Sequence, residues 1–289
     1  MAWPESPPHS VALRPYTLEA ARQRATPDTG SARRSRHRRP RARHVTDSGE
    51  VAAAFDTLSS DSPAPVEPSR YRSRADSIAS ARTRLAADES TKLRIVISLN
   101  DRRLWVIIGY DTLLTGPVAV SMDSGFKYAG KSWRVETPRG VRSVLAKREN
   151  PVWIPPDWHY AEVAREHSLG LAPMSAKKTK LSDGNWLEVR DSTVGLVYAE
   201  SGEFAALPTD EEIVFDDKLF IPPVGTMNRR IEGELGLYAL DTGNGILLHG
   251  TPHKASIGAA TTHGCIRLRD EDIQWLFEMA PLKARVYIY

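Results

Sequence analysis

Leu-Arg-Ile-Val-Ile-Ser-Leu-Asn-Asp-Arg-Arg-Leu-Trp-Val-Ile-Ile, residues 93–108, reads as two strands folded back on one another. Leu93–Leu99 and Leu104–Ile108 are dense in β-branched and aromatic residues, which suit a pleated, half-buried surface. They flank Asn100-Asp101, a pair suited to a hairpin turn. Further strands are expected at Leu113–Ser121, Val141–Ala146, Leu235–Leu240, Ile246–His249 and the terminal Arg285–Tyr289. Only two stretches carry strong helix signals. Tyr160–His167 follows Pro155-Pro156-Asp157, and Asp270–Met279 offers Asp270 as an N-cap, acidic residues in its first turn and Pro281 beyond its end. Ile273, Leu276, Phe277 and Ala280 would form its buried stripe. Many short strands with few helices imply a mainly β fold, and no internal repeat interrupts that reading.

Upstream of Lys92 the composition changes. Residues 1–91 hold 15 Arg and no Lys against 11 acidic residues, 9 of the 20 prolines, and seven Arg between Arg33 and Arg43. Such a segment buries too little apolar surface to offset its ordering entropy and is expected to be disordered. One short helix is conceivable within it, Ser73–Ala87, with Ile78 and Leu85 seven residues apart. The folded domain is then 92–289, with 157–220 an insertion or elaboration that has its own turn signal at Ser182-Asp183-Gly184.

The net charge of +3 belongs to that upstream segment, since the remainder is slightly acidic. A nucleic-acid enzyme is therefore not expected, because tracking phosphates needs basic excess on the folded surface. A single cysteine, Cys265, excludes a disulfide framework and multi-cysteine metal centres. No apolar run is long enough for a membrane-spanning helix, and no secretory signal is read in the first 30 residues.

The chemically dense stretch is 249–268, which places His249, His253 and His263 within sixteen positions of Cys265. A histidine-activated thiol nucleophile and an inert buried cysteine are both compatible with these residues. Zinc is a competing reading, with His249, His253, His263 and Cys265 as four ligands. Against it, Gly250 and Pro252 disfavour the helix that would bring His249 and His253 to one face.

The order of residues here resembles the active-site signature of the L,D-transpeptidase catalytic domain, the YkuD-like family. It is carried by His249-Gly250-Thr251, Ser256-Ile257-Gly258, Thr262-His263-Gly264-Cys265 and Arg267, the last where many members have Asn. Thr137-Pro138-Arg139-Gly140 and Asn150-Pro151-Val152-Trp153 resemble two further family segments. The resemblance implies a β-sandwich of mixed sheets with a few short helices. It implies Cys265 as nucleophile, His249 as base with Gly250 orienting it through its carbonyl, and backbone N–H groups around His263, Gly264 and Cys265 as oxyanion donors. Arg267 would contact a substrate carboxylate, with a salt bridge to Asp270 or Asp272 as the plainer alternative. Thr251 and Thr262 are placed with Arg267 on the substrate-binding side, with a buried structural role as the equal alternative, and His253 has no assigned role. Trp153 and Trp158 are read as core before groove. Peptidoglycan stem peptides are the implied partner, at the cell envelope, with no cofactor or metal and a monomeric chain. Water in place of an amine acceptor would make a carboxypeptidase or endopeptidase, and loss of chemistry would leave a wall-binding module.

Overall fold

The computed structural model describes residues 71–175 and 178–289; the arginine run and the expected disorder of 1–70 lie outside the described residues. The expected hairpin is present. Arg94–Ser98 pairs antiparallel with Arg103–Ile108, Val96 opposite Trp105. Arg103–Ile108 then pairs with Asp111–Pro117. On its other side Arg94–Ser98 runs parallel to Arg285–Ile288, and Gly140–Ser143 completes a mixed five-stranded sheet. A second, four-stranded sheet runs Ile266–Arg267, Leu247–His249, Tyr238–Asp241, Ala146–Glu149, with its first two strands parallel.

Alternation decides what each sheet buries. Ile95, Ile97, Leu104, Val106, Val286 and Ile288 from the first meet Leu240, Leu248 and Ile266 from the second in one core, closed by Ile273 and Leu276. The mainly β expectation with mixed sheets holds.

Two expected strands are each divided. Leu113–Ser121 breaks after Pro117, and Val120–Ser121 pairs elsewhere, with Ala260–Thr262. Val141–Ala146 turns at Val144-Leu145, so Gly140–Ser143 joins one sheet and Ala146–Glu149 the other. A periodicity of two marks both halves alike, and the change of sheet leaves no trace in composition.

Three α-helices are described among these residues. The helix read as conceivable over Ser73–Ala87 is present as α1 (Arg74–Asp88), capped by the Ser73 side chain, which accepts from Asp76 N–H. Its buried face is not the one expected. Ile78 and Leu85 are 41% and 60% exposed, while Ser80, Thr83 and Ala87 are buried. Small side chains let the helix lie close to the outer face of the five-stranded sheet, where Ala87 packs with Val96 and Tyr287. α2 (Asp157–Glu166) starts three residues before the expected Tyr160. α3 (Asp270–Met279) has the expected bounds, but Arg269 is the N-cap residue and Asp270 lies inside. Asp270 instead pairs with Lys254 at 3.3 Å, while Arg269 reaches back to Asp272 at 2.7 Å.

The region 157–220 builds its own structure. A four-stranded sheet, Thr179–Lys180, Trp186–Arg190, Thr193–Val197 and Phe204–Ala206, packs against Val214–Phe215, Lys218–Ile221 and Gly170–Pro173. Leu187, Leu196, Leu207 and Phe220 form a separate apolar cluster between them.

Candidate active site

The site is assembled by register. Leu247–His249 and Ile266–Arg267 run side by side, with Leu248 opposite Ile266 and His249 opposite Arg267. Leu248 and Ile266 are fully buried in the core. Their neighbours in sequence must therefore project from the other face, which carries His249, Arg267 and Cys265 together.

Cys265 is half-buried. Its thiol lies 3.5 Å from the Gly245 carbonyl. Burial pushes the thiol above its ordinary range, partly offset by Leu247 N–H and by the positive charge of Arg267. His249 is buried, and Nδ1 lies 2.5 Å from the Gly250 carbonyl. With Nδ1 donating there, Nε2 is left as the basic nitrogen. Burial pulls the imidazole down to about 4, Arg267 adds to the effect, and the Gly250 and Leu235 carbonyls oppose it. At neutral pH the resting pair is a neutral imidazole and a neutral thiol.

Gly264 has φ +135°, and a Cβ built there would stand 2.9 Å from the Glu136 carbonyl oxygen. Only glycine fits this turn beside Cys265. Its carbonyl accepts from Thr137 Oγ1 at 2.9 Å. Thr262 is structural: its hydroxyl donates to the Cys265 carbonyl at 2.6 Å and accepts from Gly264 N–H at 3.3 Å. That engages one of the three amides expected to face an oxyanion. Thr251 is buried and accepts from His253 N–H, fixing the turn after His249.

Arg267 pairs with neither Asp270 nor Asp272. Its Nη2 lies 3.5 Å from Glu234 Oε1, a long contact, and Nε and Nη1 are buried without a hydrogen-bond partner. His253 meets the other Glu234 oxygen at 3.2 Å. His263 turns away from both, to Glu162 on α2 at 2.8 Å, with Trp158 stacked on its ring at 4.1 Å. Trp158 is thus a support for the cysteine loop, and Trp153 packs against Trp158 and His159. The four residues of the zinc reading are therefore divided among different partners. Among the described residues no group of three or more His, Cys, Asp or Glu is placed to hold a metal.

Sequence reading missed Glu234 and Glu162. Glu234 stands between Gly233 and Gly236 with only Leu235 for company, and a carboxylate isolated in a glycine-rich turn was the available signal. On the Gly250 side a cleft of about 410 Å³ is lined by Val152, Gly236, Leu237, Thr251 and Pro252.

Residues 92–288 match the L,D-transpeptidase catalytic domain. The chain belongs to that family. Among curated L,D-transpeptidases, the probable enzyme ErfK/SrfK of Salmonella typhimurium is 27% identical over 206 residues, 71% of this chain and 46% of that one. The probable L,D-transpeptidase YbiS of Escherichia coli K12 is 47% identical over 55 residues, 19% and 18% of the two chains. The matched stretch spans less than half of either relative. Among solved structures, the chain is similar to the L,D-transpeptidase of Xylanimonas cellulosilytica (13% identity, 70% of this chain and 62% of that, TM-score 0.36). It is also similar to that of Enterococcus faecium (12%, 68% and 50%, TM-score 0.35). α1 lies upstream of the L,D-transpeptidase match, whereas the elaboration 157–220 lies within it.

Proposed function

We propose that this L,D-transpeptidase domain acts on peptidoglycan stems through a Cys265 thioester. The observation that carries the reading is the shared face of His249, Cys265 and Arg267, with the imidazole held by the Gly250 carbonyl. Cys265 Sγ attacks the carbonyl of the third stem residue, a diamino acid, and His249 Nε2 takes the thiol proton. The C–N bond to the terminal D-Ala breaks, the proton passes to the departing amine, and a thioester remains. An amine from a second stem then attacks, gives its proton to His249 and releases the thiol. A thiol at its ordinary pKa, near 8.5, is only a few per cent thiolate at neutral pH, and burial lowers that fraction here, so the neutral imidazole is needed as base. Backbone N–H groups around Cys265 meet the oxyanion, each such donor worth about 2.7–4 kcal/mol in the transition state. Arg267, beside His249 in register and loosely held by Glu234, supplies the cation for a substrate carboxylate. A substrate of this kind puts the protein at the cell envelope.

The test is intact-protein mass after incubation with a carbapenem, and separately with a tetrapeptide muropeptide. One covalent equivalent on the wild type and none on Cys265→Ala is expected. An adduct retained by the alanine variant would sink the assignment.

A further inference from the structure

The turn beneath the cysteine loop is gripped from outside the catalytic domain. Thr137 Oγ1 donates to the Gly264 carbonyl, and its oxygen accepts from Ser121 N–H at 3.3 Å. The neighbouring Glu136 carbonyl lies against Gly264 so closely that no side chain fits between them. Glu136 and Arg139, on either side of Thr137, are held by Arg72, just ahead of α1, and by Asp76 in its first turn. Arg72 Nη2 meets Glu136 Oε2 at 2.5 Å, and its Nε meets Asp123 at 2.9 Å. Asp76 Oδ1 meets Arg139 Nε at 2.9 Å, with the Arg139 side chain only 8% exposed. Tyr71 covers the same guanidinium with its ring, 5.2 Å from centroid to Cζ.

We propose that Arg72 and Asp76 are positioning residues for the reaction: through Glu136, Arg139 and Thr137 they fix the backbone of Gly264 and so the direction of the Cys265 amide and thiol. The inference rests on Cys265 as nucleophile. The charges alternate across the contact, so Arg72 and Asp76 each have an opposite partner on the turn, and the Asp76–Arg139 pair is the covered one, while Arg72 stays partly open to solvent. A small displacement of the turn is transmitted directly, because Gly264 and Glu136 are already in contact. Chemistry, not ground-state binding, is what such a displacement costs.

The test uses the full chain. Asp76→Asn should lower the rate of carbapenem acylation at saturation on the order of 10- to 100-fold, with the half-saturating concentration nearly unchanged. Asp76→Glu should restore most of the rate, and Asp88→Asn, on the exposed side of the same helix, should have no effect. Amide exchange of a peptide covering 258–268 should be faster in Asp76→Asn. Arg72→Gln, a milder change at the other contact, should reproduce both effects if Asp76→Asn does not fold. Wild-type rate and wild-type exchange in these variants would overturn the proposal, as would a slowed rate with unchanged exchange in 258–268. A wild type that takes no carbapenem would defeat the function proposed above, and the exchange comparison would still decide whether α1 holds the loop.

Discussion

His249 and Arg267 are register partners across a parallel strand pair, so a guanidinium flanks the imidazole on the face of the sheet away from the main core. Burial holds His249 down to about 4, and the neighbouring guanidinium, which disfavours a second cation, adds to the effect. Cys265, two residues before Arg267, is raised by burial instead. The two shifts together remove the preformed thiolate–imidazolium pair and leave proton transfer to the moment of attack.

The reactivity of Cys265 toward a small neutral alkylating agent should therefore keep rising with pH beyond the ordinary thiol range. Because the chain has one thiol, iodoacetamide labelling followed by intact mass reads it alone. A rate that reaches its plateau below neutral pH would show that the ion pair is present at rest, and the argument from burial would fail.

With substrate-like acylation the base becomes visible. His249→Ala should slow carbapenem acylation by roughly 10²-fold or more, the scale for losing a positioned base. His253→Ala should be nearly silent, since its ring meets Glu234 at the rim. Equal losses from both variants would contradict the division of partners seen here and return the zinc reading.

Arg267→Lys separates charge from fork geometry. Lysine keeps the cation but cannot make two parallel N–H bonds to a carboxylate. Turnover of a tetrapeptide donor should fall in kcat/KM by about 10- to 100-fold, mainly through KM, as expected for hydrogen bonds to a charged group. Iodoacetamide labelling of Cys265 should change little. An unaltered KM would mean that the Arg267 guanidinium meets no substrate carboxylate.

What the sequence made legible follows from how far each signal acts. The 93–108 hairpin and α3 are local patterns, and both stand where periodicity and turn residues put them. The family match was legible because the signature around Cys265 and His249 lies in one short stretch. Glu234 and Glu162 were not, because each acts on a residue 33 or 101 positions away, Arg267 and His263, through contacts that no spacing rule encodes. α1 was misjudged for a different reason. Its buried face is Ser80, Thr83 and Ala87, and a stripe of small residues carries almost no hydrophobic signal, although it packs on Val96 and Tyr287.

That packing changes the expectation for truncation. Composition alone implies that removing residues 1–88 would leave thermal stability untouched, but the cut would expose the outer face at Val96, Trp105 and Tyr287. It would also strip Asp76 and the Tyr71 ring from Arg139. Removal of 1–88 should therefore lower Tm, through the apolar surface it uncovers. An unchanged Tm in scanning calorimetry would mean that α1 contributes nothing to the folded domain.

Glu212 gives the stability of the domain an unusual dependence on pH. It lies 3.9 Å from His159, and burial pushes its carboxyl up to about 7. Between the ordinary carboxylate value and that point the folded chain keeps a proton that the unfolded chain has released. Its contribution is intact at low pH and is lost as pH rises through the window, by about 3 kcal/mol for a shift of this size. His159 and His249, both pulled down to about 4 by burial, act in the opposite sense. Between about 4 and 6.5 the unfolded chain binds their protons and the folded chain does not, so their contribution is lost as pH falls. Glu212→Gln removes only the first effect. The variant should gain Tm over the wild type progressively from pH 4.5 to pH 7.5, about 2–4 °C for each kcal/mol in a domain of this size. A Tm difference that stays constant across that range would show that Glu212 titrates as an ordinary solvated carboxylate.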